Sequence, residues 1–312
     1  MLDNVEEARR SFLKCMAWAG TGALFAVNAG VGSSIGLDAA LAAPAKLTAT
    51  RPFTFVQLSD SHIGFNKPPN ADARATFREA IAKVKALPIQ PDFIIHTGDV
   101  SQLSRDEEFD DAEQMLRATG LPVFFVPGEH DMLDPDSGKA FLNRFGKATM
   151  GTGWYSFDHR GVHFVALVNV ADLKPGGMGN LGVEQLKWLR ADLAERSSST
   201  PIVVFAHMPL WTVYEPWGWG TADAEVAFRE LRRFGSVTVL NGHIHQIIQK
   251  TEGNIRFHTA RSTAYPQPGP GEAAAPGPLA LPADKLLASL GLTSLGAARR
   301  TSPLEITDAT LN

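Results

Sequence analysis

The chain is almost without cysteine. Cys15 is the only one among its 312 residues, and it lies near the N-terminus inside an uncharged run. A disulfide within the chain is therefore excluded. If the N-terminal segment is removed, no thiol remains, and any metal site must be built from oxygen and imidazole ligands.

The chain also has little excess of charge. It contains 29 Lys and Arg residues against 33 Asp and Glu, which gives a net charge of -4, and the basic residues are scattered. Proteins that bind nucleic acid or anionic membranes usually carry a basic patch. We therefore expect no nucleic-acid partner. The 44% hydrophobic and 20% charged content is typical of a soluble globular protein with a sizeable core.

The first 45 residues have the three regions of an export signal. Arg9 and Arg10 precede Ser-Phe-Leu-Lys, residues 15–32 carry no charge, and small residues follow. The arginine pair resembles a twin-arginine translocation signal, although Ala8 stands where a Ser or Thr is usual. An uncleaved membrane anchor is the alternative, and the apolar run is barely long enough for it.

A signal of this type has four consequences. Small residues favour cleavage after Ala42 or Ala45. The protein would use the twin-arginine export machinery, reach the periplasm or the medium, and keep no stable membrane anchor. The route resembles one used for proteins that are exported already folded, which would suit an enzyme that takes up its metal before export.

Beyond the signal, strand-like apolar runs alternate with helical patterns, which predicts an α/β fold. We place the main domain at residues 46–265. Residues 266–281 are rich in Pro, Gly and Ala, so residues 266–312 are interpreted as a linker and a C-terminal extension.

Acidic and histidine side chains recur where apolar strands end. Five separate segments follow this rule, often beside Gly or Pro, and ligands bind where the strands of open α/β sheets finish. A single case is usually a turn or capping residue, but five together indicate a shared site. The side chains are Asp60, His62, Asp99, Glu129, His130, Asp131, His207, His243 and His245.

These blocks read D-x-H, G-D, G-x-H-D, H-x-P and G-H-x-H in chain order, from Asp60 to His245. They resemble the calcineurin-like metallophosphoesterases. The resemblance implies a four-layer αββα sandwich, in which two mixed β-sheets are flanked by helices, with two metal ions at the sheet edge. Fe, Mn or Zn are the expected ions, as a divalent or mixed-valence pair.

The resemblance also assigns the ligands. The first metal would be held by Asp60, His62, Asp99 and His245. The second would be held by Asp99, Glu129, His207 and His243, so that Asp99 bridges the pair. If the G-H-I-H segment is an extended strand, His243 and His245 share a face and Ile244 turns away.

His130 and Asp131 are the predicted catalytic residues. The resemblance implies that His130 stabilises phosphoryl oxygens or donates a proton to the leaving oxygen. Asp131 would orient His130 and favour its charged form, or it would simply close the turn.

Glu129 departs from the family pattern, which has Asn at this position. Unlike the neutral amide, a carboxylate is anionic and offers no donor when ionised. Three interpretations remain open. Glu129 binds the second metal directly, or it swings aside and leaves that site weak, or it marks an inactive member of the family.

Around these motifs, two loops are candidates for substrate binding. Residues 211–220 carry several aromatic side chains between glycines, which suit stacking on a substrate ring or packing onto the domain. Residues 63–70 are the candidate facing rim. The predicted substrate contacts are Asn66, Lys67, Trp211, Tyr214 and Trp217.

Together these features predict an exported phosphoesterase with two metal ions. It would hydrolyse a small phosphate mono- or diester through attack by a metal-bound hydroxide. The alternative is a non-catalytic metal- or phosphate-binding protein of the same fold. Intact His130 argues against that alternative, since a pure binder needs no proton donor.

Overall fold

The computed structural model describes residues 52–174, 176–297 and 304–312, and the backbone of two strands near the N-terminus. These two, β1 (Ala23–Asn28) and β2 (Val31–Gly36), pair antiparallel. Arg9, Arg10 and the predicted cleavage sites lie outside the described residues. Among the described residues, no helix is both long and apolar enough to cross a membrane.

One mixed sheet of five strands has the order β13-β12-β3-β4-β5. Its parallel part consists of β3 (Phe53–Leu58), β4 (Phe93–His96) and β5 (Val123–Phe125). The antiparallel part consists of β12 (Gly291–Ala297) and β13 (Glu305–Thr310).

The second mixed sheet has six strands in the order β10-β11-β9-β8-β7-β6. Its inner strands run parallel, whereas β6 and β10 pair antiparallel at the two edges. The strands are β6 (Tyr155–His159), β7 (Val162–Ala166), β8 (Ile202–Phe205), β9 (Val237–Asn241), β10 (Gln249–Glu252) and β11 (Ile255–Thr259).

The two sheets pack face to face through a shared apolar core. Phe55 and Phe93 of one sheet meet Phe164 of the other, with ring centroids 5.5 and 5.4 Å apart. Because the inner strands are covered on both faces, they are nearly continuous apolar runs rather than alternating ones.

Helices cover the two outer faces. Helices α1 (Ala73–Lys85), α2 (Asp106–Arg117) and α3 (Lys139–Phe145) pack on the five-stranded sheet. Helices α4 (Val183–Ala194) and α5 (Ala224–Leu231) pack on the six-stranded sheet. A short helix, α6 (Leu286–Ser289), precedes β12. The predicted αββα sandwich of two mixed sheets is confirmed.

The C-terminal residues are part of this architecture. β12 pairs with β3 along five residue pairs, from Thr293–Gln57 to Ala297–Phe53. Leu290 and Leu292 are buried in the same core cluster as β3. Strands β12 and β13, which the sequence assigned to an extension, therefore belong to the five-stranded sheet, with β13 at its edge. Neither strand contains a run of apolar residues, so the sequence did not reveal them.

Candidate metal centre and active site

The predicted ligands lie at one edge of the sandwich because the parallel strands of both sheets end there. Asp60 and His62 follow β3, Asp99 follows β4, and Glu129 lies beyond β5 in a 3₁₀ turn (Glu129–Met132). From the other sheet, His207 follows β8, and His243 and His245 follow β9. All seven predicted ligands are brought together.

Five of these residues have a left-handed backbone. Asp60, His62, Asp99, His243 and His245 have φ between 40° and 68°. This conformation costs roughly 1–2 kcal/mol for a residue with a Cβ. Strain of this kind persists where the surrounding structure enforces it, and it clusters at functional sites.

The left-handed backbone corrects one expectation. Gly242–His245 is not an extended strand, so the two-residue alternation does not explain how its histidines reach the site. Each histidine is instead directed inward by its own positive φ, 68° at His243 and 55° at His245. Gly242 itself has no room for a side chain, since a Cβ there would lie 2.1 Å from Ser59 Oγ.

The first group of donors consists of Asp60, His62 and His245, whose donor atoms all lie within 4.8 Å of one another. His62 Nε2 is 3.2 Å from His245 Nε2, which in turn is 3.3 Å from Asp60 Oδ1. All three side chains are buried.

The second group consists of Glu129, His207 and His243. The Glu129 carboxylate lies 2.7 Å from His207 Nε2 and 2.9 Å from His243 Nδ1. It therefore points into the cluster rather than aside. This position supports the first of the three interpretations of Glu129.

Asp99 lies between the two groups. Its Oδ2 is 3.5 Å from His62 Nε2 and 3.5 Å from His207 Nε2. Its Oδ1 accepts a hydrogen bond of 2.9 Å from the His130 amide. The same carboxylate explains why residue 128 is a glycine, because a Cβ at Gly128 would collide with Asp99 Oδ1.

Backbone carbonyls orient two of the imidazoles. His207 Nδ1 donates to the Thr97 carbonyl at 2.8 Å, and His245 Nδ1 donates to the Tyr265 carbonyl at 2.6 Å. A carbonyl can only accept, so each Nδ1 carries the proton and each Nε2 faces the cluster. This is how metal-binding histidines are commonly held.

The electrostatics of the cluster favour a cation. Burial, together with the charge of Glu129, raises the pKa of Asp99 well above its usual value. Burial alone would lower the pKa of His207, but Asp99 and Glu129 raise it well above normal. Buried carboxylates need a positive partner, and a metal ion can replace the imidazolium proton in that role.

The donor set therefore fits metal ions. It offers carboxylate oxygens and imidazole nitrogens only, and Nε2 of His62 lies 3.2 Å from Nε2 of His245. His62 Nδ1 is buried with no hydrogen-bond partner among the described residues. Oxygen and imidazole ligands suit Mn, Fe and Zn.

His130 lies beside the cluster and is only partly buried. Its ring is 4.8 Å from that of His62, and its Nδ1 donates to the Gln102 carbonyl at 2.7 Å. The opposite nitrogen, Nε2, is therefore the atom available to a substrate. Gln102, which fixes this orientation, carried no signal in the sequence.

Asp131 does not orient His130. The carboxylate is fully buried and accepts hydrogen bonds from the amides of Val100, Ser101 and Gly128, at 3.0, 2.8 and 3.0 Å. The predicted catalytic role of Asp131 is therefore wrong. Its contacts agree with the alternative, in which the carboxylate closes the turn. It fastens the loop after β4 to the loop after β5.

A cavity of about 770 Å³ opens onto the cluster. Glu129, His130 and His243 line it, and so do two predicted substrate contacts, Lys67 and Trp217. This volume lies within the range of about 300–1,000 Å³ that is usual for small-molecule sites.

The other predicted substrate contacts do not line this cavity. Trp211 is buried in the core against Phe257, with ring centroids 4.9 Å apart. Tyr214 packs edge-on against Trp217 at 5.2 Å. Asn66 is exposed outside the cavity lining. Aromatic composition did not distinguish the residues of this loop that are packed away from the cavity from Trp217 and Trp219, which line it.

Sequence reasoning missed Tyr265. Its phenol oxygen is 3.3 Å from His62 Nε2, and its ring lines the cavity. Burial, and then the charges of Asp99, Asp60 and Glu129, raise the pKa of Tyr265 well above normal. Tyr265 follows β11 at the predicted domain boundary and belongs to no recognisable motif, so the sequence did not indicate its role.

The fold and this cluster define a metal-dependent phosphoesterase. The sequence model of the family described as calcineurin-like phosphoesterase matches residues 53–247. The chain belongs to this family.

Named relatives agree with this class. The chain is 24% identical over 221 residues to a 3′,5′-cyclic-nucleotide phosphodiesterase of Nostoc sp., covering 69% of this chain and 79% of the relative. It is 24% identical over 208 residues to the glycerophosphodiester phosphodiesterase GpdQ of Enterobacter lignolyticus, covering 63% and 71%. A dimetal phosphatase from Danio rerio has a similar fold, with a TM-score of 0.56 and 15% identity over 83% of this chain and 99% of that one.

Proposed function

We propose that the protein is a binuclear metal phosphodiesterase that hydrolyses small phosphate esters outside the cytoplasm. The observation that carries this proposal is the position of Asp99. One of its oxygens lies 3.5 Å from a histidine of each donor group, as expected of a carboxylate shared by two ions.

Two cations held there would polarise the phosphoryl oxygens and lower the pKa of an attacking water. His62 and His245 would hold the first with Asp60, and His207 and His243 would hold the second with Glu129. The carbonyls of Thr97 and Tyr265 keep two of these rings in place before substrate arrives.

His130 has the second role in the reaction. Because its Nδ1 is fixed by Gln102, its Nε2 can donate to a phosphoryl oxygen or to the departing ester oxygen when the ring is doubly protonated. The bridging carboxylate also accepts from the His130 backbone amide, which couples the position of the proton donor to that of Asp99.

A diester is the better substrate class for this site. Glu129 adds a negative charge where the family has a neutral amide, and this charge disfavours a dianionic monoester more than a monoanionic diester. The cyclic-nucleotide and glycerophosphodiester enzymes named above are consistent with this preference.

The test compares p-nitrophenyl phosphate with its bis ester, with Mn, Fe, Zn or Ni supplied. We expect the bis ester to be hydrolysed with the higher kcat/KM. A protein that binds two ions and hydrolyses neither compound would instead be the non-catalytic binder.

The proposal of export rests on the arginine pair and the uncharged run behind it. Changing Arg9→Lys and Arg10→Lys together should retain the protein in the cytoplasm while leaving its folded domain unaltered. Cell fractionation measures this. An unchanged periplasmic or secreted fraction would contradict the twin-arginine route.

A further inference from the structure

The segment 266–279 is fastened to the backbone of the metal cluster. Gln267 makes the main contacts. Its Nε2 donates to the His243 carbonyl at 2.8 Å, and its Oε1 accepts from the Gly277 amide at 2.9 Å. The Gln267 side chain therefore connects the start of the segment, at Gln267, and its later part, at Gly277, to the loop that carries His243.

Further hydrogen bonds close the segment into a loop. Gln246 Nε2 donates to the carbonyls of Gln267 and Pro268, at 3.1 and 2.7 Å. The Leu279 amide donates to the Pro266 carbonyl at 2.8 Å, which brings the two ends together. The prolines restrict φ, so ordering this loop costs less entropy than ordering a flexible one.

The inner side of this loop is a wall of the active-site cavity. Pro276, Gly277 and Pro278 line the cavity. So do Trp217 and Trp219, whose rings pack edge-to-face at 4.9 Å. The Trp219 ring lies 6.4 Å from that of His243. Apolar ring surface therefore stands on the His243 side of the cluster.

Close backbone packing holds the aromatic residues of this wall. A Cβ at Gly218 would lie 2.4 Å from the Gly177 carbonyl oxygen, and a Cβ at Gly271 would lie 3.1 Å from the Tyr214 hydroxyl. Three loops are thus packed against one another. On the His130 side, Nδ1 of the ring donates to the Gln102 carbonyl, and Met132 and Leu133 also line the cavity there.

We propose that loop 266–279 and Trp217 form a specificity wall that selects phosphodiesters with a flat ring on the ester group next to His243. A ring placed there would be removed from water between proline and tryptophan surfaces. This proposal rests on the proposed function, because it takes a phosphodiester as the substrate. The preference for a ring can nevertheless be measured by binding alone, without turnover.

The test uses two anions that mimic a diester but cannot be hydrolysed, diphenylphosphinate and dimethylphosphinate. Each is titrated calorimetrically into the metal-loaded protein. We expect diphenylphosphinate to bind at least about tenfold more tightly, from the apolar area that its rings bury. Gln267→Ala should reduce this preference to about twofold or less, with the affinity for dimethylphosphinate and the metal content unchanged.

Two variants sharpen the result. Gln267→Glu keeps the acceptor for Gly277 but loses the donor to His243, so its preference should be intermediate. Gln114→Ala, at an exposed position of α2, is the matched control and should keep the full preference. If Gln267→Ala does not fold, Trp217→Leu removes ring surface without altering the loop's hydrogen bonds and should lower the preference in the same way.

Equal affinity of the wild-type protein for the two phosphinates, or binding of neither, would overturn the wall. An equal loss of affinity for both phosphinates in Gln267→Ala would also overturn it, because Gln267 would then act only by supporting His243. A ring preference in a protein without esterase activity would leave the wall standing and reject the proposed function.

Discussion

The metal cluster and the cavity wall differ in how their residues are positioned. Each predicted ligand lies within a few residues of a strand that ends at the same sheet edge. The wall is built from loops, and neighbouring aromatic residues diverge there: Trp211 enters the core while Trp217 faces the cavity. Topology places residues at strand ends, whereas packing among loops decides what forms a wall.

The largest effect should come from the residue that joins the two donor groups. Asp99→Asn keeps the size of the side chain but removes the charge shared by both sites. We expect bound metal to fall to one ion or fewer and kcat/KM to fall at least about 1,000-fold. Elemental analysis and diester turnover measure this. Asp192→Asn, outside the cluster, is the control and should keep both ions and full turnover. An Asp99→Asn protein that still binds two ions and turns over normally would contradict the bridging role of Asp99.

The next effect separates two adjacent residues of the same motif. His130→Gln should lower kcat about 100-fold and leave the metal content unchanged, since the imidazole is the proton donor. Asp131→Asn should chiefly lower the melting temperature, because the carboxylate accepts hydrogen bonds from three backbone amides. Thermal unfolding and kinetics together measure this. A larger kcat loss in correctly folded Asp131→Asn would restore a catalytic role.

An intermediate effect is expected at Glu129. Glu129→Asn removes a carboxylate that lies 2.7 and 2.9 Å from two histidines. The second ion should bind about tenfold more weakly, and the ratio of monoester to diester activity should rise. Metal titration and the two p-nitrophenyl substrates measure this. Unchanged metal affinity and unchanged rates would show that Glu129 is not a ligand.

The smallest effects should distinguish two tryptophans of one loop. Trp217→Phe reduces ring surface in the wall and should raise KM for an aryl diester about threefold at unchanged kcat. Trp211→Phe alters the core contact with Phe257 and should lower the melting temperature without changing KM. Steady-state kinetics and calorimetric unfolding measure this. The reverse pattern would place Trp211 in the wall.

Much of the cluster could be predicted because its signal is local. An acid or histidine directly after an apolar strand marks a sheet edge, and parallel strands bring such edges together. The convergence of Asp60, Asp99 and His207 followed from that rule, whereas the arrangement of two mixed sheets was implied by the resemblance of the motifs to a known family.

Other features depended on contacts between distant segments. The orientation of His130 by Gln102 and the burial of Asp131 against three amides have no periodic pattern in the sequence. The left-handed φ of His243 and His245 was equally hidden, because non-glycine residues adopt it only when tertiary contacts enforce it. Strands β12 and β13, of which β13 forms the sheet edge, lacked the alternating pattern that identifies a strand.

The most direct test is anomalous diffraction from crystals of the protein purified with its metals. Two ions about 3.5–4 Å apart should appear, bridged by Asp99, with Glu129 bound to the ion that His207 and His243 hold. A single ion, or two ions with Asp99 bound to neither or to only one, would contradict the account.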